Sequence, residues 1–194
     1  LSLSEDPGPS APWHKGEFNP DWGTAYVELS HPGWLERCLG VVAHSLELGF
    51  GGFFLDTLDI AYLYPEDREP MLNLIGSVHV AARGALLFSN RGFSLLPELA
   101  EWIDGLVFES FSISWGDTEG GYRMLPSDEL ELNSRLAHQL LSYDLELYAL
   151  DWVDSSELAA FAKTRAALHG LSWFASNRAL TLLPESPCPG ELQL

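Results

Sequence analysis

The chain has 194 residues, 46% of them apolar and 20% charged, which excludes a disordered or collagen-like polypeptide and makes a single globular domain over 1–194 the expectation. Ten Lys and Arg against 28 Asp and Glu give a formal charge of −18, which repels phosphate backbones and anionic lipid, so no nucleic-acid partner is expected. No apolar run approaches the roughly 18 residues of a membrane span, and residues 1–10 lack the basic start and apolar stretch of a signal peptide. The chain opens on Leu1 rather than Met, so further sequence is expected upstream. Cys38 and Cys188 make neither a metal motif nor a disulfide framework.

Short apolar runs alternate with longer amphipathic ones. Residues 25–30, AYVELS, read as a strand with alternate residues on opposite faces. His31-Pro32-Gly33 marks a turn into a helix, whose stripe of Trp34, Leu35, Cys38, Leu39, Val42 and Leu46 is stopped by Gly49. Residues 52–56, GFFLD, are continuously apolar up to a carboxylate, as expected of a parallel strand buried on both faces. The unit then repeats: helix over 65–83, strand over 85–90, helix over 95–103, strand over 105–110. A helix opens at Ser127 with a capping residue and an acidic first turn and runs to about Tyr143, followed by a strand over 146–151. A helix over 155–169, ended by Gly170, leads to a last strand over 171–176 and a Pro-rich tail from about 184.

Alternating strands and helices imply right-handed crossovers and a parallel sheet, either a closed barrel or an open doubly wound sheet. The pattern leaves both open, although no glycine-rich phosphate loop follows any strand. Asp56, Asn90, Glu109 and Asp151 each stand where an apolar run gives way to a loop. In a barrel these positions converge on the C-terminal rim, where barrel enzymes place their chemistry. Taken singly, each is equally well read as the cap of a following helix.

Residues 49–59, GFGGFFLDTLD, resemble the signature of glycoside hydrolase family 114, the endo-α-1,4-polygalactosaminidases. LSLSED at 1–6 resembles an earlier strand of that family, followed by a Trp-containing loop and AYVELSHPGW, and LFSNRG at 87–92 and LVFES at 106–110 resemble later strands. The resemblance implies an α/β fold, a (β/α)8 TIM-like barrel that is incomplete here, with about seven strands present and the first β/α unit missing. It implies hydrolysis of α-1,4-linked galactosamine-rich polysaccharide with Asp56 as nucleophile and Glu109 as acid/base, and no cofactor. Glycosidic cleavage needs such a pair, one group to protonate the departing oxygen and one to attack or to activate water.

Around that pair, Glu5, Asp59 and Asp151 are candidate carboxylates for a protonated amino sugar, with Asn90 and Tyr62 as hydrogen-bonding neighbours. Asp59 serves equally well to orient Asp56 or to cap a loop. Trp22, Trp115 and Trp152 fall in or beside loops where indole faces stack on sugar rings; Trp115 stands out because SWGDTEGG reads as a polar, glycine-rich loop. Trp34, Trp102 and Trp173 read as core. The six histidines lack metal-site spacing, so no metal is expected, and no G-x-S-x-G supports a serine hydrolase. The alternative is a non-catalytic glycan-binding or partner barrel of an exopolysaccharide-processing protein. A polysaccharide substrate places the chain outside the cytoplasm, extracellular or periplasmic.

Overall fold

The computed structural model describes residues 4–5, 11–19, 23–116 and 121–177. It divides into two compact units, Leu1–Leu106 with Asp144–Glu146, and Val107–Tyr143 with Leu147–Leu194.

The first unit opens with a three-stranded antiparallel sheet of β1 (Ser4–Glu5), β2 (His14–Asn19) and β3 (Thr24–Val27), in the order β1-β3-β2. Ser4 stands opposite Tyr26 and Glu5 opposite Ala25. This corrects the count of about seven barrel strands, because the first two candidates pair with each other and with β2 instead of joining the parallel sheet. The reason lies in period: Ala25, Val27 and Leu29 are buried and alternate with polar or half-buried neighbours, as in a strand covered on one face only. The sequence HKGEFN of β2 is mostly polar and carries no apolar period to announce it.

Helix α1 (Pro32–Glu47) has Pro32 in its first turn and His31 as N-cap, the Gly33 amide donating to His31 Nδ1 at 3.1 Å. Its buried residues Trp34, Cys38 and Val42 recur every fourth position, the stripe expected from the sequence. Strand β4 (Gly52–Leu55) leads to the short α2 (Ile60–Leu63), a 3₁₀ turn over Pro65–Asp67, α3 (Arg68–Ala82) and β5 (Leu86–Asn90). Met71, Leu74, Ile75 and Val78 of α3 are all at most 2% exposed. Each large apolar side chain so buried contributes about 1.5–3 kcal/mol. β4 and β5 pair in parallel, Gly52 opposite Leu86 and Leu55 opposite Ser89.

The helix expected over 95–103 is replaced by two 3₁₀ turns, Phe93–Leu95 and Glu98–Glu101. Pro97 stands between them, with no N–H to donate and a ring that clashes with a preceding helical carbonyl. Strand β6 (Gly105–Glu109) follows, and Gly105 is required there: a Cβ would lie 2.3 Å from the Phe88 ring and 2.7 Å from the Glu146 carbonyl oxygen. The Asp104 amide donates to the Leu87 carbonyl at 2.8 Å, and the Glu146 amide to the Asp104 carbonyl at 3.0 Å.

In the second unit β7 (Ile113–Gly116) and β8 (Gly121–Met124) form a hairpin where the sequence suggested only a polar loop. Helix α4 (Ser127–Leu140) has Pro126, not Ser127, as N-cap, without a side-chain cap bond. β9 (Glu146–Trp152), α5 (Ser156–Leu168) and β10 (Ser172–Ser176) complete the described chain, β9 and β10 pairing in parallel. Ile113, Val153 and Ala162 form a buried cluster with Leu158, Phe161 and Trp173 packed against it.

The parallel sheet has five strands in the order β10-β9-β6-β5-β4. Each successive parallel strand is added on the same side of the one before. A doubly wound sheet reverses direction at a switch point, whereas a (β/α) barrel does not, so the order decides for the barrel type. Among the described residues the sheet ends at β4 and β10 and does not close.

Candidate active site

In the first unit, the chain leaves β4 through Asp56 and Thr57. Asp56 Oδ1 accepts from the Thr57 amide at 2.8 Å and from Asn90 Nδ2, at the end of β5, at 2.9 Å. Thr57 has φ +66°, a left-handed conformation that β-branched residues rarely adopt. Arg91, directly after Asn90, is left-handed as well at φ +56°. Such backbone is sparsely populated and costs on the order of 1–3 kcal/mol, and it clusters at functional sites. Asp59 Oδ2 lies 2.8 Å from Arg91 Nε, and its Oδ1 accepts from the Gly92 amide at 3.3 Å. Tyr62 is 78% exposed on α2.

A second polar group joins the antiparallel sheet to the segment after α2. Tyr64 donates its hydroxyl to Glu17 Oε2 at 2.6 Å, and Lys15 sits 4.7 Å from the Tyr64 ring centroid while pairing with Asp67. The hydrogen bond to the Glu17 carboxylate pushes the Tyr64 phenol up to about 12, so it remains a donor.

In the second unit, Glu109 ends β6, and Trp152 Nε1 donates to Glu109 Oε1 at 3.2 Å. Ser110 repeats the pattern of the two preceding strand ends, left-handed at φ +54°, and its amide donates to the Leu150 carbonyl at 2.7 Å. The next residues are tied down by Asp151, whose Oδ1 accepts from the amides of Ser112 at 2.6 Å and Ile113 at 2.8 Å, and whose Oδ2 accepts from Trp173 Nε1 at 3.2 Å. Burial pushes the Asp151 carboxyl above its ordinary value, opposed by those three hydrogen bonds and by the Arg165 charge. Asn133 Nδ2 donates to the Ser110 and Phe111 carbonyls at 3.3 and 3.1 Å, and Arg165 stands 4.9 Å from the Phe111 ring centroid.

Two sequence expectations are therefore corrected. Asp151 is 0% exposed and faces backbone amides, so it is no rim carboxylate for an amino sugar. Trp152 is 6% exposed and hydrogen-bonds Glu109, so its indole is not a sugar-stacking platform. Trp115 is half-buried on β7, opposite Tyr122. Trp22 and the Glu5 side chain lie outside the described residues. The roles of Arg91 and Asn133 escaped the sequence reading. A signal existed for Asn133, a lone amide in the buried stripe of Asn133, Ala137 and Leu140 on α4. Among the described residues no group of three or more His, Cys, Asp or Glu could hold a metal ion, and no helix is long and apolar enough to cross a membrane.

No family model and no curated protein sequence matches the chain. Among solved structures it is similar to the glycoside hydrolase domain of PelA from Pseudomonas aeruginosa, with 27% identity and a TM-score of 0.83 over 94% of this chain and 78% of that one. The chain is glycoside hydrolase family 114-like. Ega3 of Aspergillus fumigatus in complex with galactosamine shares the fold, with 11% identity and a TM-score of 0.64 over 87% of this chain and 65% of that one. So does an α-galactosidase from Thermus thermophilus, at 20% identity and a TM-score of 0.55, over 94% of this chain and 40% of that one. Of the two carboxylates named from sequence, Asp56 directly follows β4 and Glu109 is the last residue of β6.

Proposed function

We propose that this chain is an endo-acting glycoside hydrolase of α-1,4-linked galactosamine-rich polysaccharide, working outside the cytoplasm, with Asp56 and Glu109 as its catalytic pair. The observation that carries the reading is the likeness to the PelA glycoside hydrolase domain over 94% of the chain. The site chemistry supports it. The two bonds to Asp56 engage Oδ1 and leave Oδ2 as the attacking atom. An indole N–H only donates, so Trp152 makes Glu109 Oε1 an acceptor and orients the carboxyl. Asp56 as nucleophile and Glu109 as acid, then base, accomplish cleavage in two steps. Asn90 positions Asp56, and Tyr62 and Trp115 are candidates for sugar contacts.

The test is release of reducing ends from partly deacetylated α-1,4-galactosaminoglycan. Wild type should shorten the polymer internally. Asp56→Asn and Glu109→Gln should each lower kcat by about 10³-fold or more, as expected for groups that take part in bond cleavage. Near-wild-type hydrolysis by either variant rejects the pair, and binding without release makes the chain a glycan-binding barrel.

A further inference from the structure

We propose that Asp59 and Arg91 form a positioning device that fixes Asp56, by locking the turn after β4 to the turn after β5; this rests on the reading of Asp56 as a catalytic carboxylate. The bond from Asn90 Nδ2 to Asp56 Oδ1 exists only while the two turns keep their relative placement. Thr57 and Arg91 both occupy left-handed backbone that their side chains disfavour. Asp59 adds a side-chain link across the two turns. Three residues beyond Asp56, it reaches across to the two residues that follow Asn90, with Oδ2 on Arg91 Nε at 2.8 Å and Oδ1 on the Gly92 amide at 3.3 Å.

Packing tightens the same joint. Leu58 is 0% exposed, and a Cβ on Gly92, left-handed at φ +85°, would stand 2.9 Å from Leu58 Cδ1, so glycine lets the two turns approach closely. The Arg91 guanidinium lies 5.4 Å from the Phe93 ring centroid, a stacking contact that limits where the guanidinium can swing. Asp56, Leu58 and Asp59 thus meet Asn90, Arg91 and Gly92 through a side-chain hydrogen bond, an ion pair, a hydrogen bond from a backbone amide and a van der Waals contact.

The side chains of Asp59 and Arg91 are 47% and 34% exposed, and a pair so solvated adds little to folding stability. Its effect falls on geometry, where a misplacement of about 1 Å costs on the order of 100-fold in rate. A positioning device and a substrate contact therefore separate in kinetics.

Arg91→Ala, Asp59→Asn, the double variant and Arg91→Lys are compared on partly deacetylated α-1,4-galactosaminoglycan, alongside thermal midpoints. In the first two, kcat should fall about 10- to 100-fold with KM within about threefold and the midpoint nearly unchanged. The double variant should be no worse than either single, and Arg91→Lys should recover part of the loss. A raised KM with wild-type kcat makes the pair a sugar-binding contact and overturns the device, as does a double variant equal to the product of the singles. Absence of wild-type hydrolysis sinks the hydrolase reading alone, because the device has a readout independent of turnover. Hydrogen exchange of the Asn90 side-chain amide, followed by NMR, should be slow in wild type and faster in Arg91→Ala and Asp59→Asn. Unchanged exchange in both variants overturns the device whatever the activity.

Discussion

Asp151 gathers three donors around one buried carboxylate, the amides of Ser112 and Ile113 and the indole of Trp173. Asp151→Ala strands all three away from water and should cost about 3–5 kcal/mol, read as a lower denaturation midpoint at neutral pH. Asp151→Asn keeps a carbonyl oxygen for the two backbone amides and loses the acceptor for Trp173. Its penalty depends on pH. Burial raises the native pKa above the ordinary 3.8, so the native state holds the proton more tightly than the unfolded chain. That contribution is complete below the ordinary value and is lost as pH rises through the raised native value, whereas asparagine has nothing to lose. The stability gap between wild type and Asp151→Asn should therefore narrow from about pH 4 to pH 7; a gap that widens over that range contradicts the burial argument. Sequence marked Asp151 as a strand-end acid but not the face it takes. In β9 it shares its face with the buried Ala149, and an apolar run without polar alternation carries no phase from which that face could be read. The strand-end positions of Asp56 and Asn90 were legible for the opposite reason, Asp56 directly following the apolar β4 and Asn90 closing β5.

Caps separate two helices that look alike in sequence. Both α4 and α5 begin beside serine followed by acidic residues, yet only Ser155 is a true N-cap, its Oγ accepting from the Leu158 amide at 3.4 Å. Ser127 already lies inside α4, behind Pro126. Ser155→Ala should cost about 1 kcal/mol, a fall of roughly 2–4 °C in Tm, while Ser127→Ala should stay within about 0.5 kcal/mol. Equal losses would show that the bond at Ser155 adds nothing. Regular elements were readable where burial marks them, by an apolar period in α1 and α3 and by short continuous apolar runs in β4 to β6. The β7–β8 hairpin was not, since each of its strands is only four residues long, and β2 was not, since its mostly polar HKGEFN shows no apolar pattern. Pro97 was in plain view, and its weight was underrated: an apolar pattern over 95–103 does not make an α-helix across a residue that cannot donate.

For the whole molecule, alternation of strands and helices specified a parallel sheet but left barrel and open sheet equal, because the side on which each strand is added depends on crossover packing between distant segments. The monotonic order β10-β9-β6-β5-β4 decides it. Net charge is the one whole-chain property that bears directly on substrate. A formal charge of −18 sets up a field that draws in a polymer of protonated amines and does nothing for the same polymer once acetylated. The attraction acts over a Debye length, about 10 Å at 0.1 M salt and about 30 Å at 0.01 M, so it should be strong in dilute buffer and weak at high ionic strength. With deacetylated galactosaminoglycan, KM should rise about tenfold or more between roughly 0.01 and 0.2 M NaCl, within the 10- to 1,000-fold range of electrostatic steering. With fully N-acetylated polymer, KM should be high at the lower salt and nearly flat across the series. If the two polymers give the same KM at low salt, the acidic surface serves only solubility and amine recognition must come from individual contacts.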